Sequence, residues 1–177
     1  DVGAFWYMPT RVLHVVSGAD FGWRRGTGRF PSWYADTLPS VVDIGLASPT
    51  ATFFGYGGKM PRRYEEALFI CDWSYGRIIA VHLEKNGASY KGTQETFITG
   101  RPLNVTDGCI GPDGAMWFTT GGRGTQSGLY RISYHGSEAL APPHESPHEE
   151  KPQLTLTRLH RGIDPADYGP SLELILG

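Results

Sequence analysis

The sequence is short of charge, of cysteine and of long apolar runs, and each shortage closes off a class of protein. Charged residues are 19% of the 177, with 16 Lys and Arg against 18 Asp and Glu, a formal net charge of −2. No stretch gathers Lys and Arg into the basic face that would neutralise phosphates, so nucleic acid is not expected as a partner. No apolar run approaches the roughly 18–20 residues that a membrane-spanning helix needs, so no transmembrane segment is expected. The two cysteines, Cys71 and Cys109, form no CxxC or CxxCH. This stretch is therefore expected to hold neither a c-type haem nor a zinc cluster, and no metal site is assigned to it. The two thiols are either joined in a disulfide or free and buried. No leader peptide is visible and the first residue is Asp1, which reads as a processed chain or a fragment.

Turn formers and aromatics are plentiful: 24 Gly, 13 Pro and 12% aromatic residues. That mixture suits many turns joining short aromatic-rich strands, not a helical bundle. Apolar, β-branched runs fall at Thr10–Val16, Val41–Leu46, Ala51–Phe54, Ala67–Cys71, Arg77–Leu83, Ser89–Ile98, Leu103–Ile110, Ala115–Thr120 and Leu129–Tyr134. Turn signals separate them: Asp72-Trp73-Ser74-Tyr75-Gly76, Glu84-Lys85-Asn86-Gly87 and Gly111-Pro112-Asp113-Gly114.

The unit repeats. Ala67-Leu68-Phe69-Ile70-Cys71-Asp72 leads to Gly76-Arg77-Ile78-Ile79-Ala80-Val81, and Ala115-Met116-Trp117-Phe118-Thr119-Thr120 leads to Gly128-Leu129-Tyr130-Arg131-Ile132-Ser133. A period of about 50 residues with several strands per unit is the mark of propeller blades. The chain is thus read as all-β, a partial β-propeller with a linker and a short α-helical C-terminal tail. Residues 1–134 form the propeller segment, two to three blades where closure takes roughly 4–8, so the rest of its own propeller or a larger assembly is its expected partner. Trp73, Trp117 and Phe118 are expected between blades. Residues 135–152, with four prolines, four acids and three histidines, read as a linker, and residues 153–177 as one or two short helices.

Five residues are candidates for ligand binding. In Gly18-Ala19-Asp20-Phe21-Gly22-Trp23-Arg24, either Phe21 and Trp23 plug a gap between blades or Asp20 or Arg24 faces the central channel. Gly100-Arg101-Pro102-Leu103-Asn104-Val105-Thr106-Asp107 enters an innermost strand, so Arg101 and Asp107 either meet a ligand or pair with one another. His14, inside an apolar strand, is either a satisfied histidine or a channel ligand. Gly121–Thr125 lacks the Lys-Ser/Thr ending and following helix of a phosphate loop and reads as a hairpin tip. His144 and His148 read as part of a solvated linker. Asn104-Val105-Thr106 fits the glycosylation pattern but enters a strand.

The succession ADFGWR, SPTATFFGYGGKMPRRYEEALFICDWSYGRIIAVHL and GRPLNVTDGCIGPDGAMWFTTGGRGTQSGLYRI resembles the later blades of the glucose/sorbosone dehydrogenase-type propellers, over about residues 7–134. It is most similar to a bacterial branch of membrane-bound dehydrogenases, in which helical repeats and a cytochrome c domain follow the propeller. The resemblance implies a six-bladed propeller, pyrroloquinoline quinone as cofactor, often with calcium, and oxidation of sugars or alcohols outside the cytoplasm, in the periplasm or beyond. In that family the catalytic base is a histidine from an earlier blade. Arg101 matches the first basic residue of the family's Gly-Arg-x-Arg-Asp-Val, but Leu103 stands at the second basic position and Asn104 at the acid. Gly18–Trp23 matches Gly-x-Asn-Tyr-Gly-Trp with Asp20 for Asn and Phe21 for Tyr. Two functions follow: the C-terminal part of an exported quinone-dependent dehydrogenase-like propeller, or a catalytically silent scaffold subunit of an extracytoplasmic complex.

Overall fold

The computed structural model describes residues 9–24, 28–29 and 37–140, the side chains at 23–24 and 28–29 excepted. Most of the linker, from residue 141, and the expected helical tail lie outside the described residues. Among the described residues the fold is β throughout apart from one 3-10 turn, Arg62–Tyr64. None of its helices is long and apolar enough to cross a membrane.

Four antiparallel strands form the central sheet in the order β5-β6-β7-β8: β5 (Pro49–Phe54), β6 (Leu68–Asp72), β7 (Arg77–Asn86) and β8 (Ser89–Thr99). The next sheet has three: β9 (Val105–Ile110), β10 (Met116–Gly122) and β11 (Thr125–Ile132). Ahead of them, β1 (Thr10–Val12) pairs with β4 (Val42–Gly45), and between these in sequence β2 (Trp23–Arg24) pairs with β3 (Gly28–Arg29). The sequence motif at Thr10–Val16 is a strand only as far as Val12, and Val15 and Val16 are exposed.

Side-chain alternation explains why the sheets stack. On β6 and β7, Phe69, Cys71, Ile78 and Ala80 are buried towards the three-stranded sheet, while Ile70, Ile79 and Val81 are buried on the other face. Apolar residues at every position are what a strand covered on both faces requires. Met116, Phe118 and Val105 complete the core between the two sheets. A Cβ on Gly108 would lie 2.6 Å from the Phe53 ring, so the inner strands β5 and β9 approach this closely only because Gly108 has no side chain. Thr50 Oγ1 donates across the same seam to Val105 O (2.8 Å).

Register refines several expected boundaries. β11 begins at Thr125 rather than near residue 128, because Arg123 (φ 51°) and Gly124 (φ 81°) alone turn the chain and Gly122 already pairs with Thr125. Positive φ at both central residues gives the primed turn whose twist matches paired strands. Likewise β7 runs through Glu84, Lys85 and Asn86, and Asn86 pairs with Ser89 around Gly87-Ala88. Phe118 is buried as expected, whereas Trp73 and Trp117 are half-buried. Trp117 (paired with Cys109) holds the register place in its sheet that Phe69 (paired with Phe53) holds in the first. It therefore points away from the first sheet, and its indole lies against Asp113 and Arg131.

Candidate ligand site at the upper end of the blades

Odd-numbered strands of the two stacked sheets start, and even-numbered ones finish, at one end, termed the upper end. Four connections meet there: residues 46–48, 73–76, 100–104 and 123–124. A buried carboxylate organises them. Asp72 has no exposure, and its oxygens accept from Arg77 Nε (2.8 Å) and from the Ser48 amide (2.9 Å). Arg77 Nη2 in turn donates to Leu46 O (2.8 Å). A buried charge is tolerated when paired and hydrogen-bonded in this way.

Trp73 joins the two sheets. Its indole Nε1 donates to Gly121 O (2.7 Å), and the Arg123 guanidinium lies 5.3 Å from the ring centre. Asn104 Nδ2 donates to Trp73 O (3.0 Å), while the Asn104 carbonyl accepts from the Gly121 amide (3.0 Å). These residues fix the rim, and Asn104 is thereby committed to structure.

Arg101 stands exposed beside a cleft of about 220 Å³ lined by Ser74, Tyr75, Pro102, Leu103 and Asn104. Among the described residues it makes no hydrogen bond or ion pair, and the residue is exposed. The pairing of Arg101 with Asp107 considered from the sequence is not formed. β9 carries Asp107 away from the upper end, and its Oδ1 accepts from the Gly108 amide (2.8 Å). Burial first, and the Asp107 charge second, push the Cys71 thiol up to about 12. Cys71 and Cys109 are free, the first buried and the second exposed, which removes the disulfide.

The other candidates lie elsewhere. His14 is at the lower end, its Nδ1 3.2 Å from Ser89 Oγ where the outermost strand β8 begins, and its ring is edge-on to Tyr90. Asp20 turns the chain ahead of β2, its Oδ1 accepting from the Gly22 amide (2.7 Å). The side chain of Arg24 lies outside the description. Arg101 is thus the candidate that the structure places at the cleft. Asp72, Trp73 and Thr50, which sequence reasoning passed over, build its surroundings. The repeat carried one signal for Asp72: its counterpart 48 residues on is Thr120, so both units close the apolar run on a polar residue.

The quinone implied by the resemblance carries several carboxylates. Arg101 offers one cation for it, but Leu103 packs against the core and offers none. Among the described residues no three His, Cys, Asp or Glu side chains gather as a metal-binding group. The described residues therefore do not by themselves fit such a cofactor.

A second polar cluster lies on the outer strands. His82 Nε2 meets Glu95 Oε1 at 2.9 Å and its Nδ1 meets Arg63 O at 3.0 Å. The His82 hydrogen bond, with a smaller one from Tyr64, holds the Glu95 carboxyl below its ordinary value.

No protein-family model matches the sequence, and comparison with curated proteins finds no match. Among solved structures, an oxidoreductase (glucose dehydrogenase) of Thermus thermophilus is similar, at 21% identity and a TM-score of 0.53. The match covers 71% of this chain and 37% of that one. A glucose dehydrogenase crystal structure matches at 20% identity and a TM-score of 0.44, over 66% of this chain and 34% of that one. The chain spans little more than a third of the length of either. The likeness shows the fold: the two stacked sheets are blades of a partial β-propeller.

Proposed function

We propose that this chain supplies later blades of an exported dehydrogenase-like propeller and contributes a carboxylate-binding contact, not the chemical step. The observation that carries the reading is Arg101, a fixed cation without a protein partner among the described residues, at the mouth of a cleft beside an inner strand. A guanidinium with free donors suits a carboxylate-bearing ligand. The base would come from an earlier blade, as the resemblance implies. One charge-assisted contact contributes about 1.5–3 kcal/mol, which orients a ligand but does not alone retain a cofactor. Periplasmic or extracellular placement belongs to the same reading.

Calorimetry tests it, titrating pyrroloquinoline quinone with calcium into the polypeptide that includes the earlier blades. Binding should weaken by about tenfold to a hundredfold in Arg101→Ala. Binding that ignores Arg101→Ala overturns the assignment of this residue. Absence of binding favours the second reading, a catalytically silent scaffold subunit of an extracytoplasmic complex. The packing of Leu103 and the commitment of Asn104 to Trp73 support that alternative.

A further inference from the structure

Along the face of the central sheet that carries Ile70, Ile79 and Val81, the chemistry changes from one end to the other. In the middle the side chains are aliphatic, and Ile44 of β4 packs over them. Towards the lower end, where β5 and β7 finish and β6 and β8 start, the same alternation delivers aromatic and charged groups instead. Phe54 is the last residue of β5, Lys85 pairs in register with Tyr90 across β7 and β8, and Tyr56 and Glu66 lie on the connection from β5 to β6.

These groups line a cleft of about 380 Å³, within the range of small-molecule pockets. Its walls are two aromatic pairs. The rings of Phe54 and Tyr56 stack at 5.1 Å and 18°, while Tyr90 is held edge-on by His14, whose Nδ1 lies 3.2 Å from Ser89 Oγ. Phe54, Tyr56 and Tyr90 are 40%, 43% and 38% exposed, so part of each ring is accessible. Glu66 and Lys85 are exposed, and among the described residues neither makes a hydrogen bond or ion pair. Burial first, and the Glu66 charge second, push the Tyr56 phenol above its ordinary value, which sets carboxylate and phenol near one another. An apolar surface laid across this cleft would take both ions out of water without partners, at a high cost. The cleft is therefore shaped for an occupant that is part apolar and part hydrogen-bonding.

We propose that this cleft binds a neutral sugar ring. The C–H face of a pyranose suits the flat platform of Phe54 and Tyr56, with Tyr90 as the second wall. Its hydroxyls donate to the Glu66 carboxylate and accept from the Lys85 ammonium. The two opposite charges select against ionic ligands. A carboxylate would meet Glu66, and a quaternary ammonium, which aromatic walls otherwise suit, would meet Lys85. The site lies at the opposite end of the blades from Arg101 and does not depend on the role proposed for that residue.

Saturation-transfer NMR tests it on the polypeptide that includes the earlier blades, titrated in turn with the methyl glycosides of glucose, galactose, mannose and N-acetylglucosamine. Irradiating the aromatic protons should transfer saturation to the ring C–H protons of at least one of them. Its affinity should fall by about twofold to tenfold in Tyr90→Ala. In Glu66→Gln it should fall by about tenfold or more. Glu66→Gln alters only an exposed carboxylate, so it gives the reading even if Tyr90→Ala does not fold. Transfer to none of the glycosides overturns the proposal, as does binding that ignores both substitutions. Binding by residues 1–177 that disappears in the extended polypeptide also overturns it, because the added chain would then fill the cleft. Tetramethylammonium binding more tightly than every glycoside overturns the choice of a neutral sugar.

Discussion

Asp72 has lost all contact with water, and the partners it gained are short bonds from Arg77 and the Ser48 amide. Removing one member of a buried pair strands the other, so Asp72→Ala should destabilise by about 3–5 kcal/mol in denaturant titrations. A loss below about 1 kcal/mol would mean that the carboxylate is solvated like a surface ion pair. The two thiols make a sharper contrast. With its thiol pushed up to about 12, Cys71 should resist iodoacetamide at neutral pH while exposed Cys109 reacts, as peptide mass spectrometry would show. Equal alkylation of the folded protein would refute the burial. Little of this was legible in the sequence. Asp72-Trp73 lies between two apolar runs and reads as a turn, and only three-dimensional closure shows that the acid points inward. Arg101 was legible because its place before an inner strand follows from the repeat. The fate of its supposed partner Asp107 was not, since a strand's local twist decides where a short carboxylate turns.

At the scale of the strand, the apolar runs and turn signals located every strand of the two stacked sheets, but turn chemistry misplaced some ends. Asn86-Gly87 looks like the turn itself. Yet Glu84 pairs with Lys91 through an ion pair (2.9 Å) and Lys85 with Tyr90, and so the ladder continues to Asn86. Strand packing also fixes Gly108. Gly108→Val should force the Phe53 ring aside and cost about 1–3 kcal/mol, and truncating Phe53 to Ala should reduce that cost. Additive losses would show that the two never touch. The pair of outer strands has an acid-sensitive contact. Because the His82 hydrogen bond lowers the Glu95 pKa on folding, its stabilisation is complete above the unfolded carboxyl value, about 4.3, and is lost as pH falls through the lowered folded value. The stability gap between the protein and Glu95→Gln, read from urea midpoints, should therefore be flat above about pH 5 and narrow on acidification. A gap that widens on acidification would reverse the sign.

For the molecule, the internal period told more than any single motif. Two units of about 50 residues predicted stacked antiparallel sheets, and the structure stacks them with Phe69 and Trp117 at equivalent places. Trp117 is half-buried, with its outward face beside Asp113 and Arg131. Backbone hydrogen bonding from Ala115 first, and Arg131 second, hold the Asp113 carboxyl below its ordinary value. That face is more polar than the aromatic face around Phe53 and Phe69, a difference that a pattern of apolar runs does not reveal. The central claim is that the two sheets are neighbouring blades joined along their inner strands. Nuclear Overhauser contacts from the Phe53 ring to the Gly108 α protons, and from the Trp73 indole N–H to Gly121, test it most directly. The account predicts both. Intact contacts within each sheet with neither of these between them would contradict it.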